Sequence, residues 1–81
     1  MISFAKRMDA IDAAEGLADS TEARRVLFPF LQDGTAVCRE SAIYALRNHI
    51  NATVREALRE MSECDPSPGV RQAASDMLAQ E

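Results

Sequence analysis

The chain has 81 residues, a length that predicts a single small domain over residues 1–81. Hydrophobic residues make up 47% of the chain and charged residues 27%, a balance that argues against intrinsic disorder. The net charge of −4 disfavours nonspecific nucleic-acid binding, and the absence of a long apolar run predicts no signal peptide or membrane span, so we expect a cytoplasmic protein.

The N-terminal third of the chain predicts two helices. Apolar residues at helical spacing indicate a first helix over residues 3–18. A second helix begins after a cap at Asp19 or Ser20, because Asp19 and Glu22 have the spacing of a capping box. Pro29 is expected to bend or end the last turn of this helix.

A third helix follows the turn at Asp33 and Gly34. Thr35 is predicted to cap it, and the helix is expected to reach about Asn48. One apolar side is formed by Val37, Cys38, Ala42, Ala45, Leu46 and Ile50.

Two further helices complete the prediction, and no segment shows the alternation of a strand. The fourth helix begins at Thr53, which has capping-box spacing to Glu56, and its apolar stripe ends at Cys64. The fifth is capped by Ser67, with Pro68 at its first position. Because the connections are short, neighbouring helices are expected to be antiparallel.

Two stretches of the chain match after a shift of 32 positions. They are residues 33–46 (DGTAVCRESAIYAL) and 65–78 (DPSPGVRQAASDML). In each, Asp is followed by Arg after six residues, and that Arg shares a helix face with apolar residues. Since a buried unpaired guanidinium is costly, the expected partner of each Arg is the turn Asp of an adjacent unit.

The helices that precede these stretches also match, at an offset of 31, so the unit is a helix pair of about 31 residues. The first helix looks like half a unit, with Arg7, Ala10 and Ala14 at the repeated spacing. The pattern resembles the HEAT repeat family, particularly its short bacterial form. The resemblance implies an all-α fold, a short right-handed α-solenoid of about five antiparallel helices over residues 1–81. Its repeat-structural residues would be Asp33, Arg39, Asp65 and Arg71.

The number of units leaves the assembly open. Ser75 and Asp76 replace Ile43 and Tyr44 in the second unit, as a polar end cap requires. Repeat proteins usually need at least three repeats for stability, and this chain has fewer. Three explanations stay open: the first helix completes the core, the protein forms a homodimer, or the native chain is longer.

No constellation in the sequence predicts catalysis, a metal site or a cofactor. His49 is the only histidine, and we interpret it as a residue at a helix end. Cys38 and Cys64 lie on apolar stripes and are predicted to be buried thiols. The chain is therefore predicted to be no enzyme.

The function predicted is that of a non-catalytic protein-binding module, either an adaptor or a small inhibitor. Exposed aromatic and arginine residues are typical of interface hot spots. The partner-binding residues predicted on this basis are Glu40, Tyr44, Arg47, Gln72, Asp76 and Phe28. An acidic cluster is either a solvated face or a surface that docks a basic partner or imitates nucleic acid; it contains Asp9, Asp12, Glu15, Asp19 and Glu22.

Two alternatives stay open. A phosphate-contacting arginine stripe would bind nucleic acid, as in DNA glycosylases that resemble this family, although ion pairs with nearby acids are the simpler interpretation. Its members would be Arg24, Arg25, Arg47, Arg55 and Arg59. Some bilin lyases are also built from similar short repeats, but no residue pattern here supports that activity.

Overall fold

The computed structural model describes residues 3–80, and every regular element within that range is helical. The prediction of an all-α fold is therefore confirmed. The helices are α1 (Phe4–Glu15), α2 (Ser20–Leu27), a 3₁₀ helix (Phe28–Gln32) that continues α2, α3 (Ala36–Ala45), α4 (Ala52–Cys64) and α5 (Pro68–Ala79).

Helix α3 lies at the centre of the fold and packs against α1, α5 and the 3₁₀ helix. Helix α2 packs against α1, and α4 packs against α5. Arg7, near the start of α1, contacts Asp33 just before α3, and Glu15 at the end of α1 contacts Arg47 just after α3. Helices α1 and α3 therefore lie side by side and run in the same direction.

The hydrophobic core draws side chains from every helix. Its largest fully buried members include Ile11, Leu27, Ile43, Leu46, Leu58 and Val70. Six buried core residues are alanines, namely Ala14, Ala23, Ala42, Ala45, Ala73 and Ala74. Because alanine adds little bulk beyond the backbone, these positions let the helices approach one another closely.

Of the four predicted caps, two are confirmed by side-chain hydrogen bonds, one is wrong, and Thr35 occupies the N-cap position of α3 without such a bond. The carboxylate of Asp19 accepts from two N–H groups at the start of α2, and Ser67 Oγ accepts from the N–H of Val70. The cap of α4, however, is Asn51, whose side-chain oxygen accepts from the N–H of Val54 at 2.9 Å. Thr53 lies inside the helix, because Asn caps at least as well as Thr and stands two residues earlier.

Several other expectations at helix ends are corrected. Helix α1 ends at Glu15 and α3 at Ala45, both three residues earlier than predicted. Cys64 is exposed, because it is the last residue of α4 and the chain turns away directly after it. Val37 is exposed too, since it stands two turns before Tyr44 and shares that outer side of α3.

Candidate interaction surface and its supporting ion pairs

A partly buried ion pair links α3 to the turn before α5. Arg39 Nε donates to Asp65 Oδ2 at 2.9 Å, and Arg39 Nη2 donates to Asp65 Oδ1 at 3.1 Å. The side chains are only 12% and 6% exposed. Arg39 Nη1 also donates to the main-chain oxygen of Asp33 at 2.8 Å. The contact is the one that the repeat predicts between Arg and the turn Asp of the adjacent unit.

A second arginine–aspartate contact, made through different guanidinium atoms, joins α1 to the turn before α3. Arg7 Nη1 donates to both carboxylate oxygens of Asp33, at 2.9 and 3.0 Å. Its Nη2 lies 3.4 Å from Thr35 Oγ1, which occupies the N-cap position of α3 without accepting from that helix. Arg7–Asp33 and Arg39–Asp65 have the same sequence separation of 26 residues. We call these two pairs the Arg–Asp ladder.

In each turn, a backbone N–H donates to the aspartate that contacts the arginine. The N–H of Thr35 donates to Asp33 at 2.8 Å, and this bond, with the Arg7 guanidinium, outweighs burial and lowers the pKa of Asp33. Burial by itself raises the pKa of Asp65, but the bonds from Arg39 and from the Ser67 N–H outweigh it, so this pKa is lowered as well. Both carboxylates are therefore ionised at neutral pH.

Tyr44 presents the most exposed ring of the predicted site. It lies on α3, the central helix, and is 40% exposed. Arg47, just beyond α3, donates to Glu15 at 2.7 Å, so a carboxylate offsets its charge. Glu40 lies one turn before Tyr44 and reaches the start of α5, where a Cβ placed on Gly69 would lie 3.4 Å from Glu40 Oε2.

Helix α5 contributes the two other predicted residues on this side. Gln72 Nε2 donates to Asp76 Oδ1 at 2.7 Å, and both side chains are exposed. The 32-residue shift aligns them with Glu40 and Tyr44 on the neighbouring α3. We call Glu40, Tyr44, Arg47, Gln72 and Asp76 together the Tyr44 surface.

Phe28 lies elsewhere. It is half-buried and lines two clefts against α4, one of about 330 Å³ that it shares with Val54 and one of about 140 Å³ that it shares with Met61. None of the residues of the Tyr44 surface lines either cleft. Of the six predicted partner-binding residues, Phe28 is therefore the one that lies at these clefts.

Most of the arginines of the predicted stripe contact acids or main-chain oxygens. Arg25 pairs with Glu22, and Arg59 donates to Glu56 at 2.6 Å. Arg24 donates to the main-chain oxygen of His49 at 3.0 Å. The contacts of Arg25 and Arg59 follow the simpler interpretation, in which arginines on helix surfaces pair with nearby acids, whereas that of Arg24 does not.

His49 is a structural residue whose importance the sequence did not reveal. It is buried, and its Nε2 lies 3.2 Å from the main-chain oxygen of Glu15. A carbonyl oxygen only accepts, so Nε2 carries the proton and Nδ1 of a neutral ring accepts from Ser20 Oγ at 2.8 Å. His49 thus ties the end of α1 to the start of α2, through partners that have no sequence signature.

No group of three or more His, Cys, Asp or Glu side chains within residues 3–80 could hold a metal ion. The Sγ of Cys38 lies 4.0 Å from the sulfur of Met8, and burial raises the pKa of its thiol, which disfavours the thiolate. Within the same range, no helix is long and apolar enough to cross a membrane.

No protein-family model matches the chain, and searches of curated proteins and of solved structures returned no match either. The resemblance to HEAT repeats therefore stays a prediction, based on the repeated residues quoted above.

Proposed function

We propose that this chain is a non-catalytic protein-interaction module, an adaptor or a small inhibitor, that binds a partner through the Tyr44 surface. The scaffold would be a short right-handed solenoid of HEAT-like repeats. In it, α2 with the 3₁₀ helix would pair antiparallel with α3, α4 would pair with α5, and α1 would stand as half a unit.

The Arg–Asp ladder supports this repeat scaffold. Both pairs join an arginine early in one helix to an aspartate 26 residues later, directly before the next helix of the series. A contact that recurs at one separation between successive helices is what stacked repeats require. Helices α1, α3 and α5 would then form one side of the stack, with α3 in the middle.

The exposed ring of Tyr44 is the observation that carries the proposed function. Tyrosine is enriched at binding hot spots because its ring buries a large area while its hydroxyl group retains a hydrogen bond. Tyr44 stands on the central helix, so a partner that covers it can also contact the helices on both sides. A tyrosine exposed at the edge of the molecule would not allow a partner to contact helices on both sides of it.

Charges around Tyr44 indicate the chemistry of the partner. The repeat register places exposed Asp12 on α1 and exposed Asp76 on α5 at positions equivalent to Tyr44, 32 residues before and after it. Arg47 and Glu15 contact each other at that same separation of 32, which supports the register for α1. Carboxylates on either side of an aromatic ring favour a lysine or arginine from the partner, held by ion pairs and by cation–π contact.

The proposal is tested by capture from native lysate with the wild-type chain, Tyr44→Ala and Phe4→Ala as immobilised baits. Phe4 is a matched control, because it is 47% exposed against 40% for Tyr44 and lies at the start of α1. A protein retained by wild type and Phe4→Ala should bind Tyr44→Ala at least about tenfold more weakly in calorimetry.

Charge-reversal variants test whether the captured partner binds through basic residues. Asp76→Lys should weaken binding of the captured protein. Glu63→Lys, at an exposed position of α4, should not. Equal affinity of wild type, Tyr44→Ala and Asp76→Lys would reject the Tyr44 surface. Recovery of nuclease-sensitive material, lost as salt rises, would replace the proposal with nucleic-acid binding.

A further inference from the structure

A groove separates α4 from α2 and the 3₁₀ helix. Helix α4 packs along α5, whereas within residues 3–80 no comparably close packing joins it to α2 or to the 3₁₀ helix. The two clefts described above, of about 330 and 140 Å³, lie in this groove and share Phe28. The larger cleft has the size of those that hold small organic ligands. We call the two clefts together the Phe28 groove.

Arg24 supplies a positive charge at one end of the Phe28 groove. It is half-buried, lines the larger cleft, and donates through Nη1 to the main-chain oxygen of His49 at 3.0 Å. Within residues 3–80 no carboxylate forms an ion pair with Arg24, and its Nε and Nη2 make no hydrogen bond. A guanidinium that is held by one anchor and keeps two donors is suited to bind a carboxylate.

The charges nearby favour a ligand with one negative charge. Arg25 also lines the larger cleft, but its charge is offset by the ion pair with Glu22. The charge of Arg24 is therefore the one left for a ligand at this cleft. Glu60 lines the smaller cleft, so it disfavours a second negative charge at that end. A single carboxylate matches this distribution better than a phosphate dianion does.

The remainder of the Phe28 groove is largely apolar and elongated. Buried Val54 lines the larger cleft, and buried Leu31 lines the smaller one. Ala57 and Met61 line the smaller cleft as well and are half-buried. From Val54 to Met61 the groove follows α4 for about 10 Å. Because an extended chain advances about 1.2 Å per bond, about eight carbons span this length.

We propose that the Phe28 groove is a binding site for a monocarboxylate with an unbranched aliphatic chain of about eight carbons. The carboxylate accepts from Nε and Nη2 of Arg24. The chain covers the ring of Phe28 and ends against Met61. The inference does not depend on the Tyr44 surface, because no residue of that surface lines the groove.

The test is a titration of the full ¹⁵N-labelled chain with octanoate below its micelle concentration, followed by NMR of the backbone N–H signals. The signals of Phe28 and Met61 should shift and saturate with a dissociation constant on the order of 1 mM. Acetate carries the charge without the chain and should leave Met61 in place. Octyl phosphate, mostly a dianion at about pH 7.5, should bind more weakly than octanoate. Tighter binding of octyl phosphate would overturn the assignment to a carboxylate.

Two variants test the two parts of the site, after circular dichroism has verified that each is folded. Arg24→Gln keeps an N–H donor but loses the charge, so the affinity for octanoate should fall about tenfold. The matched control Arg59→Gln removes an exposed arginine that already pairs with Glu56, and it should leave the affinity unchanged. Ala57→Leu fills the smaller cleft, so octanoate should lose its advantage over butanoate.

Nonspecific adsorption of the aliphatic chain would give a different pattern. Shifts at the exposed apolar residues Phe4, Leu17 and Val37 as large as those at Phe28 would overturn the proposal. The absence of a saturable shift at Phe28 would overturn it as well. Equal affinity of wild type, Arg24→Gln and Ala57→Leu for octanoate would remove both the charge and the cleft from the argument and would reject the site.

Discussion

Arg39 is the residue whose removal should test the structural argument most severely. Its guanidinium donates two hydrogen bonds to the carboxylate of Asp65 and one to the main-chain oxygen of Asp33. In Arg39→Ala, the Asp65 carboxylate keeps one hydrogen bond, from the N–H of Ser67, and the attraction of the Arg71 charge, while its side chain is just 6% exposed to water. The substitution therefore leaves a buried charge without its partner.

Removing one member of such a buried pair typically costs about 3–5 kcal/mol. A domain of this length has a free energy of unfolding of roughly 4–12 kcal/mol, so Arg39→Ala should remove a large fraction of it. The matched control is Arg59→Ala. Arg59 likewise forms an ion pair, with Glu56 at 2.6 Å, but the two side chains are 52% and 74% exposed, so the loss should stay below about 1 kcal/mol.

Urea unfolding followed by circular dichroism measures both losses. A double-mutant cycle with Asp65→Asn isolates the pair itself, and we expect a coupling free energy of about 1–3 kcal/mol. If Arg39→Ala and Arg59→Ala destabilised the protein equally, burial would not govern the energy of these pairs. A coupling near zero would equally refute the view that the ladder joins α3 to α5.

Three further predictions concern the caps, the acid response and the thiols. Asn51→Ala should cost about 1 kcal/mol of unfolding free energy while Thr53→Ala should change it little, as urea unfolding would show, because only Asn51 caps α4. The pKa of Asp65 is lower in the folded protein than in the unfolded chain. Ionised Asp65 therefore stabilises the fold at pH values above the usual carboxyl pKa of about 3.9. This stabilisation is lost as the pH falls through the lower pKa of the folded state. Asp65→Asn should accordingly lose less stability than wild type when urea midpoints are compared between about pH 6 and pH 3. Cys64 should react with a thiol reagent in the native protein, whereas buried Cys38 should react only on unfolding, and mass spectrometry of the labelled peptides would reveal the reverse order if this were wrong.

The Arg–Asp contact could be predicted from sequence because its two requirements are both visible there. Arg39 and Arg71 share a helix face with apolar residues, and a buried guanidinium needs an acceptor. The aspartates recur at the same period as the arginines, so each arginine has one obvious candidate. Periodicity supplied the spacing, and the energetic cost of an unpaired charge selected the partner.

The end of α2 could be predicted only in part. Pro29 was expected to bend or end the last turn, and α2 does end at Leu27, just before it. The chain does not turn away there, because Pro29 is tolerated near the start of a 3₁₀ helix that runs to Gln32. That continuation places Phe28 in the clefts facing α4, a position that depends on tertiary packing.

The start of α4 and the role of His49 lay beyond sequence reasoning for different reasons. Asn51 and Thr53 are both good caps, so propensity could not choose between them. The partners of His49 are a main-chain oxygen and the hydroxyl of Ser20, 29 residues away. Every residue has a main-chain oxygen, so such a contact leaves no pattern to read.

The ladder and the proposed Tyr44 surface make a joint prediction, because the surface extends over two helices that the ladder connects. Arg39 is mostly buried, so it has little surface of its own to offer a partner. It nevertheless fixes α3 beside α5, and thereby sets Tyr44 relative to Asp76. If a partner contacts both helices, Arg39→Ala should weaken binding even at low temperature, where the variant stays folded.

The size of this effect distinguishes two forms of the surface. If the partner contacts α3 alone, the affinity of Arg39→Ala should fall only in proportion to its unfolded fraction, which circular dichroism gives independently. If the partner spans α3 and α5, the fall should exceed that fraction, because part of the binding energy goes into restoring the geometry of the two helices. Calorimetry on the folded variant, with Arg59→Ala as the control, would decide between them; an affinity equal to that of wild type would mean that the ladder stabilises the fold without positioning the surface.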